Sequence, residues 1–210
     1  MSILHLEFLV EEASLESALT QLLPKILPST VSSKIHAFRG KPDLLAKVPN
    51  RLKGYQAWLP PDWKIVILID EDREDCVKLK KQLEDIAILA GLITKSSCQK
   101  NKSFQVLNRI VIEELEAWFF GDVQAIRQAY PKVSANLANQ QPYRDPDAIK
   151  GGTWEALERV LKKAGYHLGG LQKQKASSDI SQYMNPESNR SKSFQVFDQG
   201  LLEIINSKQV

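Results

Sequence analysis

Apolar residues in the first half of the chain alternate between runs typical of strands and spacings typical of helices. The predicted strands are residues 3–10, 31–38, 65–69 and 104–112. The run Ile65–Ile69 contains no polar residue, which indicates a strand covered on both faces of a sheet. Between the runs, apolar residues recur three and four positions apart, as they do after the N-cap residue Ser14. Asp43–Leu52 is predicted as a short helix that Pro49 interrupts. This repeated order predicts an α/β fold with an open, mostly parallel sheet and helices on both faces.

The carboxyl-terminal part of the chain has a different pattern, because glycine and proline become frequent and strand-like runs disappear. Helical spacing of apolar residues fits Trp154–Ala164, Ser177–Met184 and Ser193–Ile205. We therefore predict an α/β domain over residues 1–125 and a helical subdomain over residues 126–210 packed on it.

Composition narrows the class of protein further. With 43% hydrophobic residues in 210, the chain can bury one substantial core. Its two cysteines, Cys76 and Cys98, form no metal-ligand spacing and fit a reducing compartment. No apolar run approaches the ~20 residues that span a bilayer, and the first residues do not resemble a signal peptide, so we predict a cytoplasmic protein without a membrane segment. The net charge of +3 comes from residues 150–210, with 9 basic and 6 acidic side chains against 19 and 19 before them.

Acidic residues follow three of the predicted strands. They are Glu11-Glu12, Asp70-Glu71-Asp72 and Glu113-Glu114-Leu115-Glu116. The carboxyl ends of parallel strands meet at one edge of a sheet, where such folds bind ligands. Carboxylates gathered there suit a hard cation such as Mg²⁺ or Mn²⁺, with Glu11, Asp70, Asp72 and Glu116 as candidate metal ligands. The three histidines are scattered, so a zinc site is not expected. The alternative is that these acids only cap the helices that follow them.

Several basic stretches are candidate phosphate contacts. Lys41 lies in Arg39-Gly40-Lys41, Lys173 in Lys173-Gln-Lys175, and Arg190 in Asn189-Arg-Ser-Lys-Ser193, which opens a predicted helix. For Arg39-Gly40-Lys41 a surface turn is the favoured alternative, and an ordinary N-cap explains Ser191 or Ser193 equally well. Trp118-Phe119-Phe120 has the spacing of a buried helix, and Trp154 is expected to pack between the two parts of the chain.

Seven stretches of the chain together resemble a known bacterial family, the domain of unknown function 4276 family, whose members resemble Toprim (topoisomerase–primase) domains. The stretches are Phe8-Leu-Val-Glu-Glu-Ala-Ser-Leu-Glu16, Phe38-Arg-Gly-Lys-Pro-Asp-Leu-Leu45, Val66-Ile-Leu-Ile-Asp-Glu-Asp-Arg-Glu-Asp-Cys76, Asn108-Arg-Ile-Val-Ile-Glu-Glu-Leu-Glu-Ala-Trp-Phe-Phe-Gly-Asp122, Tyr143-Arg-Asp-Pro-Asp-Ala-Ile149, Gly151-Gly-Thr-Trp-Glu-Ala-Leu-Glu158 and Asn189-Arg-Ser-Lys-Ser-Phe-Gln-Val-Phe197. They cover nearly the whole chain.

The resemblance implies a Toprim-like sheet and a metal site for cutting or joining nucleic-acid strands. By resemblance, Glu11 is the glutamate after the first strand, and Asp70 and Asp72 form the DxD motif that holds Mg²⁺. Toprim proteins usually have glycine after that glutamate, whereas this chain has Glu12. Related families are often encoded beside a chromosome-maintenance-type ATPase in phage-defence systems, which implies an ABC-like ATPase partner and DNA or RNA as the target.

These features lead to one leading hypothesis and two alternatives. The leading hypothesis is a Mg²⁺- or Mn²⁺-dependent nuclease in which Glu11, Asp70 and Asp72 are catalytic and Lys41, Lys173 or Arg190 holds phosphate. Glu12 in place of glycine favours a non-catalytic subunit that docks on an ABC-like ATPase. The third hypothesis is a metal-dependent phosphohydrolase that acts on small nucleotides.

Overall fold

A computed structural model describes residues 3–99 and 103–206 of the chain. Its strands are β1 (His5–Val10), β2 (Ser32–Ala37), β3 (Trp63–Asp70) and β4 (Val106–Val111). All of them pair in parallel, in the order β2-β1-β3-β4. The α/β fold with an open parallel sheet, predicted from the alternation of apolar patterns, is therefore confirmed.

Eight α-helices occur in the described ranges. They are α1 (Ala13–Ile26), α2 (Lys41–Trp58), α3 (Cys76–Leu89), α4 (Glu116–Gly121), α5 (Val123–Ala129), α6 (Thr153–Lys163), α7 (Lys173–Ser181) and α8 (Lys192–Asn206). Short 3-10 turns occur at Leu137–Asn139, Gln141–Tyr143, Pro146–Ala148 and Pro186–Ser188. Among the residues described, no helix combines the length and apolar character needed to cross a membrane.

The sheet separates two apolar cores because side chains along each strand alternate between its faces. On β1, Leu6, Phe8 and Val10 face a large core that includes α1 and the carboxyl-terminal helices. Leu9 faces a smaller core formed with α2 and α3. Every residue of Ile65–Ile69 is fully buried, as a strand covered on both faces requires.

The predicted break at Pro49 is wrong, because α2 runs through this proline for 18 residues. Proline removes one backbone hydrogen bond from a helix interior. The apolar face of α2 is buried along its length and outweighs that loss, because each large apolar side chain contributes about 1.5–3 kcal/mol when it is buried. The buried residues of this face are Leu44, Val48, Leu52 and Tyr55.

The two predicted parts of the chain share one apolar core. It contains Leu19 of α1 as well as Ile180 of α7, and the aromatic side chains of α4, Trp118 to Phe120, are fully buried in it. The proposed boundary after residue 125 lies inside α5. The division into residues 1–125 and 126–210 stays a prediction.

Strand order determines where a ligand can approach the sheet. The chain passes from β1 to β2 on one side and then crosses to β3 on the other side of β1. Open parallel sheets bind ligands in the crevice outside the carboxyl ends of the two strands at such a reversal. Glu11 directly follows β1 and Asp70 ends β3, so both residues lie at this reversal.

Candidate functional site

Acidic side chains collect at the carboxyl ends of β1, β3 and β4. We call this group the acidic edge, formed by Glu11, Glu12, Asp70, Asp72 and Glu116. Glu11, Asp70 and Glu116 are buried, with 8%, 6% and 2% of their surfaces exposed. Asp70 interacts electrostatically with all four of the others. The structure therefore brings together the acids that the sequence assigned to a metal site.

Glu11 is held across the reversal in strand order by backbone amides on both sides. Its Oε1 accepts a hydrogen bond from the Lys41 N–H at 3.1 Å, and its Oε2 accepts one from the Asp70 N–H at 3.1 Å. Burial raises the pKa of Glu11 to about 7, the charges of Asp72 and Glu12 add to the increase, and the bond from Asp70 and the charge of Lys41 oppose it. Glu11 is thus fixed in orientation and ready to hold a proton near neutral pH.

Asp70 contains a buried carboxylate oxygen that lacks a donor. Its Oδ1 has no hydrogen-bond partner among the described residues. Burial raises the pKa of Asp70 well above its ordinary value, and the charges of Glu11 and Glu116 raise it further. A buried acceptor without a partner costs about 1–3 kcal/mol, so it calls for a proton or a cation.

Glu116 is the third buried acid of the group. It begins α4 just after β4, in the first turn, where an acid is favourable. Burial raises the pKa of Glu116 to about 7, and the charge of Lys173 opposes the increase. Its charge in turn raises the pKa of Asp70, so the two carboxyl groups disfavour each other's ionised form.

Asp72 is paired with a lysine. The buried Lys41 places its Nζ 2.8 Å from Asp72 Oδ2 and 3.0 Å from Glu74 Oε1, and it donates to the Glu71 carbonyl at 3.1 Å. Burial alone would lower the pKa of Lys41, but the bonds to Asp72 and Glu74 raise it overall. Among the described residues, no three histidine, cysteine or acidic side chains are arranged to hold a metal ion as they stand.

The loops after β3 and β4 are hydrogen-bonded to each other. The Asp72 N–H donates to the Glu113 carbonyl at 2.7 Å, and the Glu113 N–H donates to Glu71 Oε2 at 3.0 Å. Asp72 and Glu113 both have positive φ, 56° and 59°, a conformation that is uncommon outside glycine. Glu71 is therefore a structural link between the loops, and this link fixes where the backbone of Asp72 lies.

Glu114, next to the acidic edge, and Glu12, within it, have contacts that the sequence did not indicate. Glu114 Oε2 accepts hydrogen bonds at 2.9 Å from the Thr153 N–H, the Thr153 hydroxyl and the Trp154 N–H, so it caps α6. Glu12 has extended backbone angles that any residue adopts (φ −147°, ψ 170°), and it accepts a hydrogen bond from Ser14. The backbone conformation at position 12 therefore does not require glycine, and the charge of Glu12 raises the pKa of Glu11.

Lys173 adds a cation to the acidic edge from the first position of α7. Burial alone would lower the pKa of Lys173, but the charges of Glu116, Glu12, Glu114 and Asp70 raise it overall. Its Nζ lies 5.1 Å from the centre of the Trp154 ring. Lys173 and Lys41, both predicted from the sequence, therefore border the same group of acids.

Arg190 lies in a different setting. Its N–H donates to the Gly121 carbonyl at the carboxyl end of α4, at 3.0 Å. The predicted anion site before α8 is filled by the chain itself, because Asp147 Oδ1 accepts hydrogen bonds from the Ser191 and Ser193 hydroxyls at 2.7 and 3.0 Å. Among the described residues, the hydrogen-bond partners of Arg190 are outside the acidic edge.

A family model identifies the chain. It is described as "Domain of unknown function (DUF4276)" and matches residues 10–202. The chain belongs to the DUF4276 family. This confirms the resemblance found in the sequence, and the match includes every residue of the acidic edge. No curated protein matches this DUF4276 chain.

Two solved structures resemble this DUF4276 chain along most of its length. One is the C-terminal region of the Burkholderia pseudomallei OLD protein, which is 14% identical, with 95% of this chain and 96% of that chain covered and a TM-score of 0.49. The other is the same region of the Xanthomonas campestris pv. campestris OLD protein, which is 13% identical, with 95% of both chains covered and a TM-score of 0.49. Likenesses this distant support no inference about function.

Proposed function

We propose that this chain is a Mg²⁺- or Mn²⁺-dependent phosphodiester hydrolase that acts on nucleic acid and that the acidic edge is its metal site. The observation that carries the proposal is the buried Asp70 Oδ1, which has no hydrogen-bond donor in the described part of the chain and interacts with the charges of Glu11 and Glu116. Strongly perturbed acids at the ligand-binding edge of a parallel sheet are typical of functional sites.

The ligand chemistry of the acidic edge fits a hard divalent cation, which prefers carboxylate oxygens. Asp70, Glu11 and Glu116 would hold the ion, with Asp72 as a fourth ligand once it exchanges its bond to Lys41 for the metal. The bound ion would stabilise the charge that develops on a phosphate and would lower the pKa of an attacking water.

The chain's own groups would prepare this chemistry. Backbone N–H groups hold both oxygens of Glu11, which fixes its direction before a ligand arrives. With pKa values of about 7, Glu11 and Glu116 are partly protonated near neutral pH, and an entering cation would displace those protons. Lys41, once released from Asp72, and Lys173 would pair with phosphate oxygens of the substrate.

The test is to incubate the purified protein with several DNAs, with tRNA and with Mn²⁺, beside the Asp70→Asn/Asp72→Asn variant. We expect cleavage by the wild type that EDTA abolishes and that the variant lacks. Asp85→Asn is the matched control, because Asp85 pairs with Lys81 on the exposed surface of α3, and its substitution should leave cleavage unchanged. Equal cleavage by the wild type and the double variant would refute the assignment.

A second candidate function is a non-catalytic subunit of an ABC-like ATPase. The pairing of Asp72 with Lys41 favours it, since a lysine then supplies the positive charge that a metal would otherwise bring. Calorimetry with Mg²⁺ and co-purification with the ATPase separate the two candidates. A stable complex without metal binding would favour the subunit.

Hydrolysis of small nucleotides remains the third candidate and requires a pocket of matching size. Two surface grooves, of about 630 and 380 Å³, lie elsewhere. The larger one runs between α1 and β2, and the smaller one lies beside β4 and α8. Neither is lined by the acidic edge. Faster turnover of free nucleotides than of polymers would support this third candidate.

A further inference from the structure

Trp154 lies beside the acidic edge without belonging to the apolar core. Its backbone N–H is bound by Glu114, and the Lys173 ammonium lies 5.1 Å from the centre of its ring. Lys173 in turn interacts electrostatically with Glu116 and Asp70. The sequence predicted that this indole packs between two parts of the chain. That packing stays a prediction. The indole is a partly exposed aromatic side chain that adjoins a cation and the candidate metal site.

The backbone before Trp154 fixes the start of α6 tightly. Gly151 and Gly152 have φ angles of 84° and 89°, a region that only glycine adopts readily. A Cβ at Gly152 would meet only the movable end of the Glu155 side chain, so it is the positive φ rather than crowding that favours glycine there. With Thr153 and Trp154 also bound to Glu114, the indole is attached to a rigid turn. Rigid aromatic groups lose little entropy when they bind a ligand.

We propose that Trp154 and Lys173 form a subsite for an unpaired nucleotide, in which the indole stacks on the base and the ammonium pairs with the adjacent phosphate. This deepens the proposed function, on which it rests, by naming single-stranded nucleic acid as the substrate. Stacking on an aromatic side chain requires an exposed base face, which the interior of a duplex does not offer. Every base has such a face, so the subsite would select unpaired strands with little preference for sequence.

The experiment measures binding without metal and without cleavage. The protein used is the Asp70→Asn/Asp72→Asn variant in EDTA, because it has less negative charge to repel the phosphates of a strand. It is titrated with labelled single-stranded DNA, single-stranded RNA, a blunt duplex and an abasic strand. Fluorescence anisotropy gives the affinities. Trp154→Leu and Trp154→Phe are introduced into this background, and Trp58→Leu is the matched control, since Trp58 is exposed at the end of α2, far along that helix from Lys41.

We expect Trp154→Leu to weaken single-strand binding roughly 5- to 100-fold and Trp154→Phe to retain most of the affinity, because phenylalanine still offers an aromatic face. Trp58→Leu should bind as the parent does. Loss of the Trp154 side chain should not affect the abasic strand, which has no base to stack. Equal affinities for single-stranded DNA and RNA would mean that the subsite recognises the base and the phosphate but not the sugar. A higher affinity for one of them would identify that nucleic acid as the substrate.

Three results would overturn the subsite. They are unchanged binding by Trp154→Leu, equal weakening by leucine and phenylalanine, and binding of the blunt duplex as tightly as single strands. Hydrolysis of the base-free diester bis(p-nitrophenyl) phosphate by the wild type with Mn²⁺ reports separately on the proposed function. Hydrolysis of that diester with no effect at Trp154 would refute the subsite alone, and absence of hydrolysis with the expected Trp154 effects would refute the hydrolase alone.

Discussion

Two buried glutamates lie four residues apart, Glu7 within strand β1 and Glu11 directly after it, and their surroundings differ. Glu7 Oε2 lies 2.5 Å from His36 Nε2 and accepts a hydrogen bond from the Tyr55 hydroxyl at 3.0 Å, and its Oε1 lies 3.3 Å from His5 Nε2. Burial alone would raise the pKa of Glu7, but these neighbours lower it overall. Burial raises the pKa of Glu11, and acidic neighbours reinforce the change.

The difference between the two glutamates teaches that burial alone does not identify a functional acid. Both are at least nine-tenths buried. Glu7 is surrounded by groups that favour its ionised form, so its carboxylate is already stabilised by the protein's own side chains. The charges of Glu11 and Glu116 disfavour the ionised form of Asp70, and Asp70 Oδ1 lacks a donor among the described residues. The acidic edge is the region that a bound cation would complete, whereas the Glu7 cluster is complete without one.

The largest expected effect comes from removing Glu7, whose ionised form its neighbours stabilise. Glu7→Ala should lower the free energy of unfolding by about 2–5 kcal/mol at pH 7, because Tyr55 and His36 lose their buried partner. The pKa of Glu7 is lowered in the folded state, so its contribution exists above its usual value of 4.5 and disappears as the pH falls below it. Urea denaturation at pH 7 and at pH 3.5 measures both effects. An unchanged stability at pH 7 would contradict the account.

An acid of the acidic edge should have the opposite effect. Glu116→Gln should raise the free energy of unfolding by about 1–3 kcal/mol at pH 8 in EDTA, since it removes a buried charge without a full partner. The pKa of Glu116 rises from 4.5 to about 7 on folding. The wild type therefore loses stability as the pH rises from 4.5 through 7, and the variant loses less.

Denaturation from pH 4 to pH 8 measures this dependence, with Glu203→Gln on the exposed end of α8 as the control acid. Glu203 pairs with Lys95 at the surface, which lowers its pKa below the usual value, so its substitution should leave the slope between pH 6 and pH 8 unchanged. A Glu116→Gln variant that is less stable than the wild type at pH 8 would show that neighbouring groups already stabilise the charge of Glu116 without a bound cation.

A smaller effect is expected from Glu12, which is only partly buried. Glu12→Gln removes one repulsive charge but keeps an oxygen that accepts from Ser14. Solvent screens partly exposed charges, so the gain at pH 8 in EDTA should stay below about 1 kcal/mol. The same denaturation experiment measures it. A gain as large as that of Glu116→Gln would mean that the destabilisation caused by each acid does not depend on how deeply the acid is buried.

Much of the fold could be predicted because its signals are local. The apolar run Ile65–Ile69 is a strand buried on both faces, and the spacing within Trp118–Phe120 places these residues in the core. The interruption at Pro49 was wrong because burial of the α2 face depends on tertiary packing. The acids of the site could be found because strand ends of a parallel sheet share one edge.

The partners of those acids could not be predicted, because they come from distant parts of the chain. Glu114 caps α6 through Thr153, and Asp147 occupies the anion position before α8 through Ser191. The bond between Lys41 and Asp72 likewise depends on how α2 begins beside β3. Sequence spacing shows which residues share an edge, but only the packed structure shows which of them are already paired.

The most direct test of the central claim is calorimetric titration of Mn²⁺ into the wild type, Asp70→Asn and Glu7→Gln at pH 7.5. Two buffers with different ionisation enthalpies reveal any protons released. We predict that the wild type binds Mn²⁺ and releases protons, that Asp70→Asn binds at least about tenfold more weakly, and that Glu7→Gln binds as the wild type does. Equal affinity in the wild type and Asp70→Asn would contradict the assignment of the acidic edge as a metal site.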